Sequence, residues 1–161
     1  MTLTSELVIR LSRLLKQQNK YFVTAESCTG GGVAFACTGQ SGSSSWFSGS
    51  FVTYTNSMKQ QALNVPLGVL TDHGAVSEPT VVAMLTGSLD AAKADIALAI
   101  SGIAGPSGAT ESKPLGMVCF AYGSYYDHRS FTCVFEGDRG EVRGHAINKG
   151  LELVVDYLST F

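Results

Sequence analysis

Tyr21-Phe22-Val23-Thr24-Ala25-Glu26-Ser27-Cys28-Thr29-Gly30-Gly31-Gly32 opens as an aromatic and β-branched run and ends in three glycines. The apolar start predicts a short strand over 21–25, since such side chains suit a pleated, half-buried surface. The glycines predict a tight turn, and Val33 to Cys37 reads as a short helix stopping near Gly39. A strand that breaks through Ser27 into this turn leaves a hydroxyl at a sheet edge, beside free N–H groups of the next helix. Such groups bind anions and stabilise the oxyanion of a tetrahedral intermediate. On this stretch alone a second reading stays equally open, in which Ser27 merely caps the helix.

Outward from that turn, helical and extended patterns alternate. Leu3, Leu7, Leu11, Leu14 and Leu15 lie on one face of an amphipathic helix over Met1 to Lys16. Phe51 to Thr55 reads as a strand, followed by a helix capped at Asn56 or Ser57 and running through Leu63. Pro66 to Gly74 reads as loop, and Ser77-Glu78-Pro79 as the start of a helix reaching about Lys93. Ile96 to Ile100 is continuously apolar, as a strand buried on both faces would be. Gly102 to Gly116 is a long glycine- and proline-bearing loop, and such loops inside compact domains usually carry function. Met117–Tyr122 and Arg129–Phe135 form a hairpin, and Val142–Leu158 a closing helix. The alternation predicts an α/β fold, a three-layer α/β/α sandwich with a mostly buried mixed sheet, as a single domain over 1–161.

Composition narrows the function. The chain has 161 residues, 45% of them hydrophobic and 15% charged, with a net charge of −2. There is no basic patch and no interleaving of basic and aromatic residues, so no nucleic-acid partner is expected. No apolar run suits a membrane span or a signal-peptide core. The four cysteines (Cys28, Cys37, Cys119, Cys133) lack metal-site spacing, and His73, His128 and His145 are scattered. A cytoplasmic protein with reduced thiols and no metal is expected.

Three further segments could carry chemistry. In Tyr54-Thr55-Asn56-Ser57-Met58-Lys59, a lysine falls in the first turn of a helix, where the dipole disfavours it. It is either a solvated surface residue or a base whose pKa, ordinarily ~10.4, is lowered by burial or a neighbouring cation. Ser101-Gly102-Ile103-Ala104-Gly105-Pro106-Ser107-Gly108 follows the buried strand, where open α/β sheets bind ligands. It lacks a P-loop lysine and suits a phosphate or ribose, or is simply a turn. In Gly137-Asp138-Arg139-Gly140-Glu141-Val142-Arg143, Asp138 caps the last helix and Arg139 and Arg143 share a helical face. The two arginines either bind phosphate or pair with Glu136 or Glu141. Cys28 is intrinsically the better nucleophile but should alternate away from Ser27 into the core. His73 beside Asp72 invites pairing with Ser27 or Cys28, though nothing in the sequence brings them together.

Taken in order, Ala-Glu-Ser-Cys-Thr-Gly-Gly (25–31), Tyr-Thr-Asn-x-x-Lys (54–59), His-Gly-Ala-Val-Ser (73–77), Ser-Gly-Ile-Ala-Gly-Pro (101–106), Lys-Pro-x-Gly (113–116) and Gly-Asp-Arg (137–139) resemble the CinA C-terminal domain family over nearly the whole chain. The resemblance implies a nicotinamide-nucleotide amidohydrolase, which deamidates nicotinamide mononucleotide to nicotinic acid mononucleotide and ammonia in pyridine-nucleotide salvage. It implies Ser27 as nucleophile and Lys59 as base, acting directly or through Tyr54. It further implies Thr29, Gly30 and Gly31 as oxyanion donors, and Ser101, Gly102, Ile103, Ala104 and Gly105 as nucleotide contacts. Arg139 and Arg143 are our own phosphate candidates. No cofactor is implied, and a homo-oligomer is expected from family habit. Gly32 and Ala109 depart from the family pattern, the first as a loosened helix start and the second as a stiffened loop. Two other readings remain: a catalytically silent nucleotide-binding or regulatory paralogue, and an amidase for another small carboxamide.

Overall fold

The computed structural model describes residues 1–161 and contains a five-stranded sheet between two helical layers. In chain order the elements are α1 (Leu3–Gln17), β1 (Phe22–Glu26), α2 (Gly32–Thr38), β2 (Phe47–Val52), α3 (Asn56–Leu63), α4 (Leu67–His73), α5 (Glu78–Ala92), β3 (Ile96–Gly102), β4 (Met117–Gly123), β5 (His128–Val134) and α6 (Arg139–Leu158). The strand order is β2-β1-β3-β4-β5. β1 runs parallel to both β2 and β3, and the β3–β4 and β4–β5 pairs are antiparallel. The sheet is therefore mixed, as the sequence predicts.

Strand alternation assigns the two faces. Phe22, Ile96, Leu98, Ile100, Val118 and Phe120 pack with α1, α2 and α6 in one core. Val23, Ala25, Ala97, Ala99, Cys119 and Ala121 face the other way, toward Leu63, Leu70, Met84 and Leu85 of α3–α5. The second face is mostly alanine, which lets α5 approach the strands closely. The chain leaves β1 through α2 to reach β2 on one side, then returns through α3–α5 to β3 on the other. The C-terminal ends of β1, β2 and β3 thus surround a point where the connections diverge, and α/β sheets open a crevice there.

Several elements differ from the sequence expectation. β2 spans Phe47–Val52 rather than 51–55, because pairing starts where Phe22 N–H donates to the Trp46 carbonyl at 2.8 Å. The stretch 66–74 is not loop: Leu67–His73 is a helix that buries only Leu70, too little for an apolar period to reveal it. Thr55, not Asn56 or Ser57, caps α3, accepting from Met58 N–H at 3.1 Å. α6 starts at Arg139, three residues early, under a capping box between Asp138 and Glu141. A Cβ on Gly32 would sit 2.4 Å from the end of Ile147, so the glycine lets α2 lie against α6.

Candidate active site

Ser27 follows the last residue of β1, and its N–H donates to the Ile100 carbonyl of β3 at 2.9 Å. That bond extends the parallel ladder one step and fixes where the chain leaves the sheet. Gly30 then donates to the Ser27 carbonyl at 3.1 Å and closes a turn. Gly30 (φ +60°) and Gly31 (φ +92°) both adopt left-handed backbone, which explains why glycine occupies them.

Directly before Ser27, Glu26 is fully buried. Its carboxylate accepts the Val33 and Ala34 N–H groups, each at 3.0 Å, and so caps α2. It also accepts hydroxyl donors: Thr29 at 2.6 Å, Thr24 at 3.1 Å and Ser50 at 3.3 Å. One side chain thereby joins β1, β2, the turn and α2. The sequence alone gives Glu26 no role and predicts that the N–H groups of α2 face Ser27. The structure gives two of those donors to Glu26 instead.

Lys59, on α3, is also fully buried, and no carboxylate pairs with it. Its amine donates to the Thr53 carbonyl at 2.8 Å, the Tyr54 carbonyl at 3.2 Å and Ser27 Oγ at 3.0 Å. Burial lowers its pKa to about 8 from the ordinary lysine value. The surface-lysine alternative is thus set aside. Two carbonyls claim two amine hydrogens, so in the neutral amine the lone pair is left facing Ser27 Oγ.

Above these two groups opens a cavity of about 280 Å³. Ser27, Cys28 and Tyr54 line it on one side, and Ser101, Gly102, Ile103, Ala104 and Gly105 on the other. Arg139 stands at its rim, donating to the Gly105 carbonyl at 2.8 Å and to the Tyr54 hydroxyl at 3.0 Å. This chain of bonds ties β2–α3, the loop after β3 and the start of α6 into one mouth. Ser107 and Gly108, the end of the glycine-rich segment after β3, complete the wall with Ala75 and Val76, which lie inside the 73–77 motif but carry no role in the sequence reading.

Other expected residues fall elsewhere. The Tyr54 phenol is bound by Arg139, and only the Tyr54 backbone carbonyl touches the Ser27–Lys59 pair. Thr29, Gly30, Gly31 and Arg143 do not line the cavity. Neither arginine pairs with Glu136 or Glu141. His73 is exposed at the end of α4, and its carbonyl accepts from Lys113. Cys28 reaches both cavity and core, and burial pushes its thiol up to about 12, which keeps it protonated at neutral pH.

Comparison with known proteins adds to this geometry. Residues 4–158 match the CinA C-terminal domain. A nicotinamide-nucleotide amidohydrolase PncC of Shigella flexneri is 46% identical, across 89% of this chain and 87% of its own length. The protein of that name in Escherichia coli is 47% identical, with the same shares covered. Among solved structures, a competence-damaged protein (CinA) superfamily protein of Klebsiella pneumoniae superposes with a TM-score of 0.94 at 36% identity, covering 98% of this chain and 99% of that one.

Proposed function

The chain belongs to the CinA C-terminal domain family, and from that premise we propose that it hydrolyses the carboxamide of nicotinamide mononucleotide, with Ser27 as nucleophile and Lys59 as base. The observation that carries the reading is the 3.0 Å contact between the Lys59 amine and Ser27 Oγ, with Ser27 lining the cavity and Lys59 buried outside its lining. Surface chemistry or simple packing gives no reason to bury a lysine with only carbonyls and a hydroxyl for company. A serine activated by an adjacent amine gives one.

The steps follow from the positions. Neutral Lys59 accepts the Ser27 proton as Oγ bonds to the carboxamide carbon. The carbonyl oxygen becomes an oxyanion, for which the N–H of Cys28, a cavity-lining residue, serves as donor, backed by the Thr29 N–H of the next peptide; neither has a backbone acceptor. The oxyanion collapses, the C–N bond breaks, and the Lys59 ammonium gives its proton to the departing nitrogen, which leaves as ammonia. Water then attacks the Ser27 ester with Lys59 again as base, releasing the carboxylate and restoring the hydroxyl. The proton travels directly between Ser27 and Lys59, since the Tyr54 phenol is turned to Arg139. Tyr54 and Arg139 at the rim, with Ser101 on the opposite wall, serve to hold the nucleotide. Arg139 is the one charged side chain lining the cavity, and it suits the substrate phosphate.

Release of ammonia from nicotinamide mononucleotide by the purified chain tests the activity. Turnover lost in Ser27→Ala and kept in Cys28→Ala is the expected result. A protein that binds the nucleotide and releases no ammonia would be a silent paralogue, and a preference for free nicotinamide or its riboside would mark an amidase of another substrate.

A further inference from the structure

Arg143 lies half-buried in the second turn of α6, behind the turn that follows Ser27. Its Nε donates to the Cys28 carbonyl at 3.0 Å, and its Nη2 reaches the Thr29 carbonyl at 3.4 Å. No carboxylate pairs with it; the one ion pair in the molecule joins Lys149 and Glu152. Nη2 stands 3.2 Å from where a Cβ on Gly30 would be, so a side chain at position 30 would crowd the guanidinium. A charged group is therefore directed onto two successive peptide carbonyls next to the nucleophile, and away from the cavity.

The local electrostatics give this placement a purpose. Glu26 occupies the N-terminus of α2 and offsets its positive end. A negative charge developing beside Ser27 consequently needs another source of positive potential, and Lys59 and Arg143 are the cations in contact with this turn. A guanidinium bonded to a peptide oxygen polarises that peptide and strengthens its N–H as a donor. The Cys28–Thr29 peptide presents the Thr29 N–H, which has no protein acceptor. The field of Arg143 also reaches the Cys28 sulfur, where it opposes the effect of burial.

We infer that Arg143 is a positioning residue for acyl transfer: it holds the Cys28–Gly30 backbone in the shape that receives the oxyanion and backs it with positive charge, and it does not ligate the substrate phosphate. This rests on Ser27 being the nucleophile, so the test separates the two ideas. A neutral alkyl fluorophosphonate carries no nucleotide phosphate. It reacts as Ser27 Oγ bonds to phosphorus, fluoride leaves and the serine proton passes to Lys59. Arg143→Met is expected to slow this labelling at least 10-fold, and to lower kcat for ammonia release more than it raises KM. Arg143→Lys, which keeps the charge and loses the two-carbonyl fork, should fall between, with thermal melting as the check on folding. If Arg143→Met does not fold, Arg143→Lys decides alone: slower labelling in a chain that melts like the wild type supports the inference. Labelling at the wild-type rate, with only KM for the mononucleotide raised, overturns it. Equal labelling of the wild type and Ser27→Ala would instead overturn the nucleophile assignment, and this inference with it.

Discussion

The Lys59 amine and Ser27 Oγ are 3.0 Å apart across 32 positions of chain, and the other two amine contacts are backbone carbonyls. Such a lysine is poorly compensated: its charged form has lost water and gained no carboxylate. Lys59→Met, similar in length and apolar, removes this uncompensated charge but also the donor to the Thr53 and Tyr54 carbonyls, so the two effects oppose and Tm is expected to shift by only a few degrees. Its kcat should fall by about 100-fold or more, as for removal of a general base. A folded Lys59→Met whose kcat stays within a few-fold of wild type would sink its catalytic role.

The pH dependence has a definite sign. Burial lowers Lys59 to about 8, and the proposed base is the neutral amine, which dominates above that pH. Values of kcat/KM should climb about tenfold per pH unit below 8 and level off above it. The folded protein also binds fewer protons than the unfolded chain between about 8 and the ordinary lysine value of ~10.4, so this group's contribution favours folding increasingly as pH rises through that window. A rate profile flat from pH 6 to 9 would rule out Lys59 as the proton acceptor.

Removing the Tyr54 phenol should not interrupt proton transfer, because its hydroxyl accepts from Arg139 and not from the dyad. Tyr54→Phe is expected to leave kcat within about threefold of wild type while KM rises by up to ~10-fold, the scale of one hydrogen bond to a charged group. A kcat loss of two orders of magnitude in steady-state assays would restore the phenol to the proton path.

Parts of this architecture are written plainly in the sequence. β3 begins with an unbroken apolar run from Ile96 to Ile100, and the Ser27 turn is punctuated by glycines. β2 is harder to see, because Ser48, Gly49 and Ser50 interrupt it and the pairing begins at Trp46 and Phe47. α4 buries a single leucine and so leaves no period to detect. Within the site, the serine and the lysine each look ordinary until tertiary packing buries the amine. Arg139 and Arg143 share a face, but one helical turn separates the rim of the cavity from the back of the Ser27 turn. Linear spacing does not distinguish those two destinations. Nor does it reveal Glu26, whose partners come from four separate elements and turns.

Glu26 carries the last prediction, on stability. Its fully buried carboxylate accepts from two N–H groups at the start of α2 and from three hydroxyls, of which Ser50 is half-exposed. Glu26→Ala strips the acceptor from the Val33 and Ala34 N–H groups and the Thr29 hydroxyl, while Thr24 keeps Ser50 Oγ at 2.7 Å, and each buried donor left unpaired costs about 1–3 kcal/mol unless water enters. The expected loss is about 3–5 kcal/mol, read as a lower urea midpoint at unchanged m-value. Glu26→Gln keeps the shape but points an amide donor at groups that are themselves donors, so it should lose about 1–3 kcal/mol. Because the same carboxylate holds the turn after Ser27, activity should fall in the folded fraction of both variants. Full stability in Glu26→Ala would mean that the donors find other acceptors, and that the nucleophile turn is held without this carboxylate.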